Sequence, residues 1–101
     1  MSLRLRNSWK YVGNKRWDWE IFLEDDGSGE IDNIASVEYI LHPTFPDPRR
    51  IVSNRKSKFK LKSNGWGVFW IKAFANTRSG EKIKLKHYLE LHSDPKSGTT
   101  K

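Results

Sequence analysis

The sequence contains no cysteine, a single methionine and no long apolar run. Without thiols the chain can form neither a disulfide nor a cysteine-based metal site. Its apolar runs are far shorter than the roughly 20 residues that a membrane-spanning helix needs. The amino-terminal segment MSLRLRNSWK also lacks the apolar stretch of a signal peptide. These absences predict a cytoplasmic domain that does not insert into membranes.

The chain is also short, with 101 residues, of which 36% are hydrophobic. That length suits one domain and is too small for two. Five Trp, five Phe and three Tyr supply a large buried area per residue, so the chain can form a core despite its low apolar fraction.

Charges of one sign are missing from two long segments. Residues 17–48 contain nine acidic side chains and no Lys or Arg, whereas residues 49–80 contain nine basic side chains and no acid. Acidic and basic strands that lie side by side would neutralise each other through cross-strand pairs. We favour that interpretation of the net charge of +7 over a dedicated phosphate-binding face.

Apolar and polar residues alternate with a period of two along most of the chain, which is typical of half-buried antiparallel strands. The apolar positions are Leu3 and Leu5; Trp17, Trp19, Ile21 and Leu23; Val37, Tyr39 and Leu41; Phe59 and Leu61; and Ile83, Leu85, His87, Leu89 and Leu91. Residues 66–75 are apolar on both faces of the expected strand, which predicts a central strand. The pattern predicts an all-β fold, a β-sandwich or barrel of about seven to eight antiparallel strands.

Turn-forming residues separate these runs at residues 25–29, 43–48, 63–65 and 78–80. A single helical turn is expected near residues 32–36. From Ser93 onward the sequence is polar and small, so we predict a domain of residues 1–92 followed by a flexible tail of residues 93–101.

Two candidate chemical sites are weak. Residues 24–35 resemble a calcium loop, but Ala35 stands where the closing carboxylate should be, so an acidic hairpin turn is the better interpretation. His42, His87 and His92 lack metal-ligand spacing, no nucleophile elbow is present, and His87 suits a core position. We therefore predict no catalytic residue, no metal and no cofactor.

The third candidate is a pair of loops. The segment HPTFPDP (residues 42–48) ends one strand in a backbone restricted by three prolines, and NGWG (residues 64–67) places Trp66 between two glycines. Glycines allow close approach of a ligand or unusual dihedral angles. The residues alone leave two interpretations open: two aromatic walls around a ligand, or aromatic caps on the core.

The order VEYILHPTFPDP, FKLKSNGWGVFWIKA and KHYLEL, together with WDWEIFLED, resembles the YEATS domain family, most closely its prokaryotic branch. The resemblance implies an immunoglobulin-like β-sandwich that acts as a reader module. In eukaryotic members such modules bind acylated lysine on histone tails.

The resemblance also implies roles for individual residues. Phe45 and Trp66 match the two aromatic walls, Thr44 the hydroxyl that bonds the acyl amide, and His42 the residue that orients it. Gly65 and Gly67 flank the Trp66 backbone, whose N–H would donate to the acyl carbonyl. A further aromatic of eukaryotic members has no counterpart in residues 13–16, so Tyr11 or Trp17 is the candidate third wall.

We therefore predict a non-catalytic module that binds an acylated lysine, or a similar flat neutral group, on a partner protein. Asp47 is expected to steer a basic peptide toward the loops. Two alternatives remain: nucleic-acid binding through the lysine rows of residues 58–62 and 82–86, and carbohydrate binding through exposed Trp. The sequence predicts no oligomeric state.

Overall fold

The computed structural model describes residues 3–25, 27, 29–45, 47–65, 67–93 and 96–100. They form eight strands and two short 3-10 helices, Glu30–Asn33 and Arg55–Ser57. The strands are β1 (Arg4–Gly13), β2 (Arg16–Glu24), β3 (Ile34–Ile40), β4 (Arg49–Val52), β5 (Leu61–Gly65), β6 (Trp70–Thr77), β7 (Lys82–Tyr88) and β8 (Ser97–Thr99). The predicted all-β fold is confirmed.

The strands form two antiparallel sheets of four strands each. The first sheet has the order β5-β2-β1-β8 and the second has the order β4-β3-β6-β7. Each sheet turns one face toward the other, as in a β-sandwich. Within the described residues no helix is long and apolar enough to cross a bilayer.

The core lies between the sheets and contains the alternating apolar residues that the sequence pattern marks. Its fully buried members include Trp19, Ile21, Leu23, Val37, Tyr39, Phe59, Ile71, Ala73 and Leu89. Tyr39 also satisfies its buried hydroxyl by donating to the Phe59 carbonyl at 2.6 Å. Removal from water raises the pKa of the Tyr39 phenol, so this side chain stays neutral.

A polar link joins the two sheets inside this core. Asn7 of β1 is fully buried, and its Oδ1 accepts hydrogen bonds from His87 Nε2 at 2.7 Å and from the Glu90 N–H at 3.1 Å. Asn7 Nδ2 donates to the Glu90 carbonyl at 2.8 Å. The structure therefore confirms His87 as a core histidine with a partner, and identifies the partner as an asparagine on the opposite sheet.

Burial of His87 couples stability to pH. Desolvation lowers its pKa below the usual 6.5, with a smaller opposing effect from Glu90. Below about pH 6.5 the unfolded chain binds a proton that the folded chain resists, so we expect the free energy of unfolding to fall as the pH is lowered through this value and to be recovered above it. Urea unfolding at a series of pH values on both sides of it measures the effect. His87→Gln should flatten the slope, whereas the exposed His92→Gln should not; equal slopes in all three proteins would contradict it.

The predicted pairing of acidic and basic segments holds for part of the molecule. Arg49 pairs with Glu38 at 2.7 Å and Lys60 with Glu20 at 3.0 Å, which joins the two oppositely charged segments. Glu24 instead pairs with Arg4 and Arg6 of β1, and the hydrogen bond from Arg6 is the main reason that its pKa is lowered. Most of these pairs lie on the outer face of the first sheet, where acids and bases are therefore interleaved.

The carboxyl-terminal segment differs from the predicted flexible tail. Residues 97–99 form β8 at the edge of the first sheet, and Thr100 is buried, with Oγ1 accepting from the Asn7 N–H at 3.0 Å. Gly98 fits because a Cβ there would come within 2.7 Å of the Trp9 ring. Backbone pairing with β1 and the close contact of Gly98 with the Trp9 ring hold this strand in place. Neither needs alternating apolar residues, so the sequence pattern gives no sign of the strand.

Three local expectations are wrong. Residues 63–65 are not a turn but the end of β5, paired with β2. The acidic hairpin turn expected at residues 24–35 is not formed, because β2 and β3, which flank that segment, lie in different sheets. The central strand begins at Trp70 rather than residue 66, and only its inward side is buried, whereas Trp70 is 58% exposed. In each of these segments the local composition fits both a turn or loop and a strand, and the pairing of strands across the sheets decides which of the two forms.

Candidate binding groove

A groove of about 560 Å³ opens at one end of the sandwich. It lies between the β3–β4 loop and the segment that joins β5 to β6, beside the start of β2. The lining residues are Arg16, His42, Thr44, Phe45, Arg50, Ser63, Asn64, Gly65, Gly67, Val68 and Phe69. A smaller hollow of about 310 Å³ lies at the other end of β2, among charged side chains.

The β3–β4 loop presents a hydroxyl to this groove in a fixed geometry. The Leu41 N–H donates to the Pro48 carbonyl at 2.7 Å, which closes the base of the loop, and the Phe45 N–H donates to the His42 carbonyl at 3.0 Å. The Thr44 N–H donates to His42 Nδ1 at 3.2 Å, and Thr44 Oγ1 lies 2.9 Å from the same nitrogen. His42 Nδ1 is therefore an acceptor, so the Thr44 hydroxyl donates to it and keeps its oxygen lone pairs for a ligand.

Aromatic side chains form the apolar part of the groove. The rings of Phe45 and Phe69 are tilted against each other at 5.3 Å, and the His42 ring contacts Phe69 at 5.9 Å. Buried Trp19 supports both phenylalanines edge-on, at 6.2 Å from Phe45 and 6.1 Å from Phe69. The hydroxyl of Thr44 thus stands beside a rigid apolar surface.

The two glycines of the groove are not required by backbone strain. Positive φ angles in the described glycines occur at residues 13, 27, 29 and 80, and not at Gly65 or Gly67. A Cβ on Gly65 would lie 3.8 Å from Phe45 Cζ and from Trp19 Nε1, and a Cβ on Gly67 would touch no described atom within 4 Å. The sequence suggests two reasons for glycine at these positions: close approach of a ligand, or unusual backbone dihedral angles. The observed φ angles exclude the second reason and leave the first.

The charges at the mouth of the groove are basic. Arg16 and Arg50 both line it. Arg50 Nε donates to the Asp47 carbonyl at 2.9 Å, while the Asp47 side chain is exposed and lies outside the lining. The charged side chains that line the groove are therefore two arginines, and Asp47, the residue predicted to steer a basic peptide, is not among the lining residues.

The structure brings five of the six predicted ligand-binding residues to one groove: His42, Thr44, Phe45, Gly65 and Gly67. Trp66 lies outside the described residues. The two candidates for a third wall are elsewhere, because the rings of Tyr11 and Trp17 contact each other at 4.9 Å with their planes tilted by 51°, and neither residue lines the groove. Trp17 is held there by donating from Nε1 to the His92 carbonyl at 2.8 Å.

Comparison with known proteins assigns the fold family. The sequence model of the prokaryotic YEATS domain family matches residues 17–90, which is most of the chain. The chain belongs to this family. Among curated relatives, the Protein AF-9 homolog of Kluyveromyces lactis is 33% identical over 78 residues, covering 73% of this chain and 34% of that protein. The Protein AF-9 homolog of Eremothecium gossypii is 32% identical over 78 residues, with 73% and 36% coverage. This YEATS domain thus spans about a third of the length of these relatives.

Solved structures show the same architecture. The crystal structure of the Yaf9 YEATS domain bound to H3K27ac superimposes with a TM-score of 0.76 over 97% of this chain and 78% of that one, at 24% identity. The Yaf9 YEATS domain recognizing an H3K122suc peptide gives a TM-score of 0.68, with 97% and 78% coverage and 24% identity. These neighbours confirm the immunoglobulin-like β-sandwich of this YEATS domain.

Sequence reasoning misses several residues of the groove. The sequence pattern places Phe69 in a core strand and Ser63 and Asn64 in a turn, and it gives Arg16 and Arg50 no site. Arg16 is 26 positions from His42 in the sequence, so only the pairing of β2 with β5 places it at the groove. One sequence feature does point to Phe69: residues 66–75 are apolar on both faces of the expected strand, which predicts that Phe69 is buried close to the glycines.

Proposed function

We propose that this YEATS domain is a non-catalytic module that binds an acylated lysine of a partner protein in the groove between the β3–β4 and β5–β6 loops. The observation that carries the proposal is the Thr44 hydroxyl, oriented by His42 at 2.9 Å, beside the Phe45–Phe69 ring pair. A planar amide needs a hydrogen-bond acceptor for its N–H and an apolar surface for its faces, and this arrangement offers both.

The proposed contacts follow from the chemistry of the amide. The amide N–H donates to Thr44 Oγ1, whose own proton is committed to His42 Nδ1. The acyl group lies over Phe45, with Gly65 and Gly67 leaving space for it near the backbone. By resemblance to the family, Trp66 supplies the second wall and its backbone N–H donates to the acyl carbonyl.

The basic rim explains how the groove would reject an unmodified lysine. An ammonium group that enters would lose water and approach Arg16 and Arg50, both of like charge. Acylation removes that charge. The same two arginines would tolerate an acyl chain that ends in a carboxylate, so both acetyl-lysine and succinyl-lysine belong in the test.

The structural neighbours support this class of partner, since Yaf9 is solved with an acetylated and with a succinylated histone H3 peptide. Carbohydrate binding is less well supported. Trp19 is buried, and Trp17 is half-buried against Tyr11. Trp70 is exposed, but its ring meets that of Tyr88 edge-on at an interplanar angle of 63°, so the pair is not the coplanar platform that stacking on a sugar needs.

Titration of labelled lysine peptides by fluorescence anisotropy tests the proposal. We expect acetyl-lysine and succinyl-lysine peptides to bind and the unmodified peptide to bind at least about tenfold more weakly, since one unmade hydrogen bond to a buried group costs about 1–3 kcal/mol. Thr44→Val should weaken binding of the acylated peptides by a similar factor, and Thr44→Ser should preserve it. Equal affinity for acylated and unmodified peptides, or unchanged binding by Thr44→Val, would reject the proposal.

A further inference from the structure

The outer faces of the two sheets differ in how far acidic side chains accompany the basic ones. On the first sheet acids and bases alternate and form the ion pairs described above. On the second sheet the outward residues of β6 and β7 make a single surface, here named the lysine face, which consists of Trp70, Lys72, Phe74, Asn76, Lys82, Lys84, Lys86 and Tyr88. No ion pair of the described residues involves any of its lysines. Glu38, the neighbouring acid on β3, is buried and held by Arg49.

Aromatic rings are exposed within this basic surface. Trp70 is 58% and Tyr88 is 45% exposed, and their rings meet edge-on at 5.3 Å across the β6–β7 pair. Lys86 Nζ lies 5.4 Å from the centre of the Trp70 ring, so an ammonium group already stands beside the indole. Phe74 follows on the same side of β6, roughly 13 Å along the strand from Trp70 at about 3.3 Å per residue, with Lys82 over its ring at 5.8 Å.

We propose that the lysine face binds single-stranded nucleic acid, with bases stacking on Trp70 and Tyr88 and phosphates contacting the lysines. Cations interleaved with exposed rings on an open sheet are the combination that single strands require, because every unpaired base has a stacking face and every phosphate a charge. A duplex would use the cations but not the rings.

Protection of a sheet edge against unwanted strand pairing explains only some of the lysines on this surface. β7 is the edge strand of the second sheet, and lysines on an edge strand discourage unwanted pairing with other chains. An exposed Trp–Tyr pair does the opposite, because it favours association. Lys72 lies on β6, an interior strand, so edge protection does not explain it either.

The lysine face is separate from the groove, so the proposal does not rest on acyl-lysine binding. Its lysines are also distinct from the row at residues 58–62, where Lys60 is paired with Glu20. The row of residues 82–86 has no ion pair among the described residues, whereas the row of residues 58–62 has one.

The test uses the full chain and a fluorescein-labelled oligothymidine of about 20 nucleotides, followed by anisotropy at several salt concentrations. We expect Lys84→Gln/Lys86→Gln to weaken binding at least about fivefold at low salt. The slope of log affinity against log salt should fall by about 1.4, or about 0.7 for each phosphate that a lysine no longer neutralises. Lys10→Gln/Lys62→Gln on the first sheet is the control, since it changes the net charge equally.

A second pair of variants tests stacking. Trp70→Ala should weaken binding by about tenfold, whereas Phe22→Ala, which removes a ring from the outer face of the first sheet, should not. Phe45→Ala in the groove should also leave binding intact. The proposal is overturned by absence of binding at low salt, by equal losses in the two lysine pairs, or by duplex DNA of the same length binding as tightly as the single strand. Binding to acidic peptides or anionic vesicles that needs the lysines but not Trp70 would likewise overturn it.

Discussion

Replacement of Asn7 by alanine is expected to destabilise this YEATS domain by about 3 kcal/mol, because Asn7 is fully buried and hydrogen-bonded across the two sheets. The change removes four side-chain hydrogen bonds, of 2.7, 2.8, 3.1 and 3.4 Å, and leaves His87 and both backbone groups of Glu90 without these partners. A buried polar group without a partner costs about 1–3 kcal/mol, which exceeds the net value of the bond itself.

Chemical unfolding of the wild type and of the Asn7→Ala variant measures this loss. Asn33→Ala is the matched control, because Asn33 is exposed in the first 3-10 helix, and surface substitutions usually stay within about 0.5 kcal/mol. A loss below about 1 kcal/mol in Asn7→Ala would mean that the link between the sheets is not important for stability.

The pair can be tested further by a double-mutant cycle. Replacing both members of a buried hydrogen-bonded pair with apolar residues removes the orphaned partner along with the bond. His87→Leu should therefore cost less in an Asn7→Leu background than in the wild type, and strictly additive losses would contradict the coupling.

Replacement of Phe45 by alanine should have the largest effect on acyl-lysine binding, a loss of about fiftyfold. Phe45 contributes both the stacking face and the packing that fixes Phe69, at 5.3 Å, and a central aromatic anchor typically contributes at least about 2 kcal/mol. Phe45→Leu keeps most of the apolar volume but not the flat face, so we expect an intermediate loss.

Peptide titration and thermal unfolding together separate binding from folding. Phe45→Ala also removes the packing of this ring against Trp19 and Phe69, so its melting temperature should fall modestly while the chain remains folded at the temperature of the titration. Phe22→Ala should bind as the wild type does. Retention of full affinity by folded Phe45→Ala would place the acyl group elsewhere.

The proposed discrimination against unmodified lysine depends on geometry and charge together. The hydroxyl of Thr44 selects an amide N–H, and the rim of Arg16 and Arg50 disfavours an ammonium group. The β3–β4 loop, which carries Thr44, is closed at its base by the Leu41–Pro48 hydrogen bond. The groove is thus largely preorganised, which lowers the entropy that binding must overcome.

Much of the fold could be predicted from local pattern. Because side chains alternate between the two faces of a strand, the run from Trp17 to Leu23 indicates its buried side without knowledge of any partner strand. The positions of His42, Thr44 and Phe45 within one loop could also be predicted, since proline and turn chemistry act over a few residues.

Contacts between distant segments could not be predicted in the same way. Residues 97–100 contain no apolar alternation, and residues 97–99 form a strand only because β1 offers an open edge and Trp9 a surface that admits Gly98. Residues 63–65 have turn composition, and their pairing with β2 overrides it.

By itself the sequence determined most of the residues that face the core, that the chain is an all-β protein, and which loop carries the hydroxyl and the ring of the groove. Only the tertiary structure decided that Asn7 satisfies His87, that two arginines border the groove, and that the lysines of β6 and β7 share one face with Trp70. The physical reason is that periodicity depends on neighbours two residues apart, whereas these juxtapositions depend on strand order and register, which the whole chain settles together.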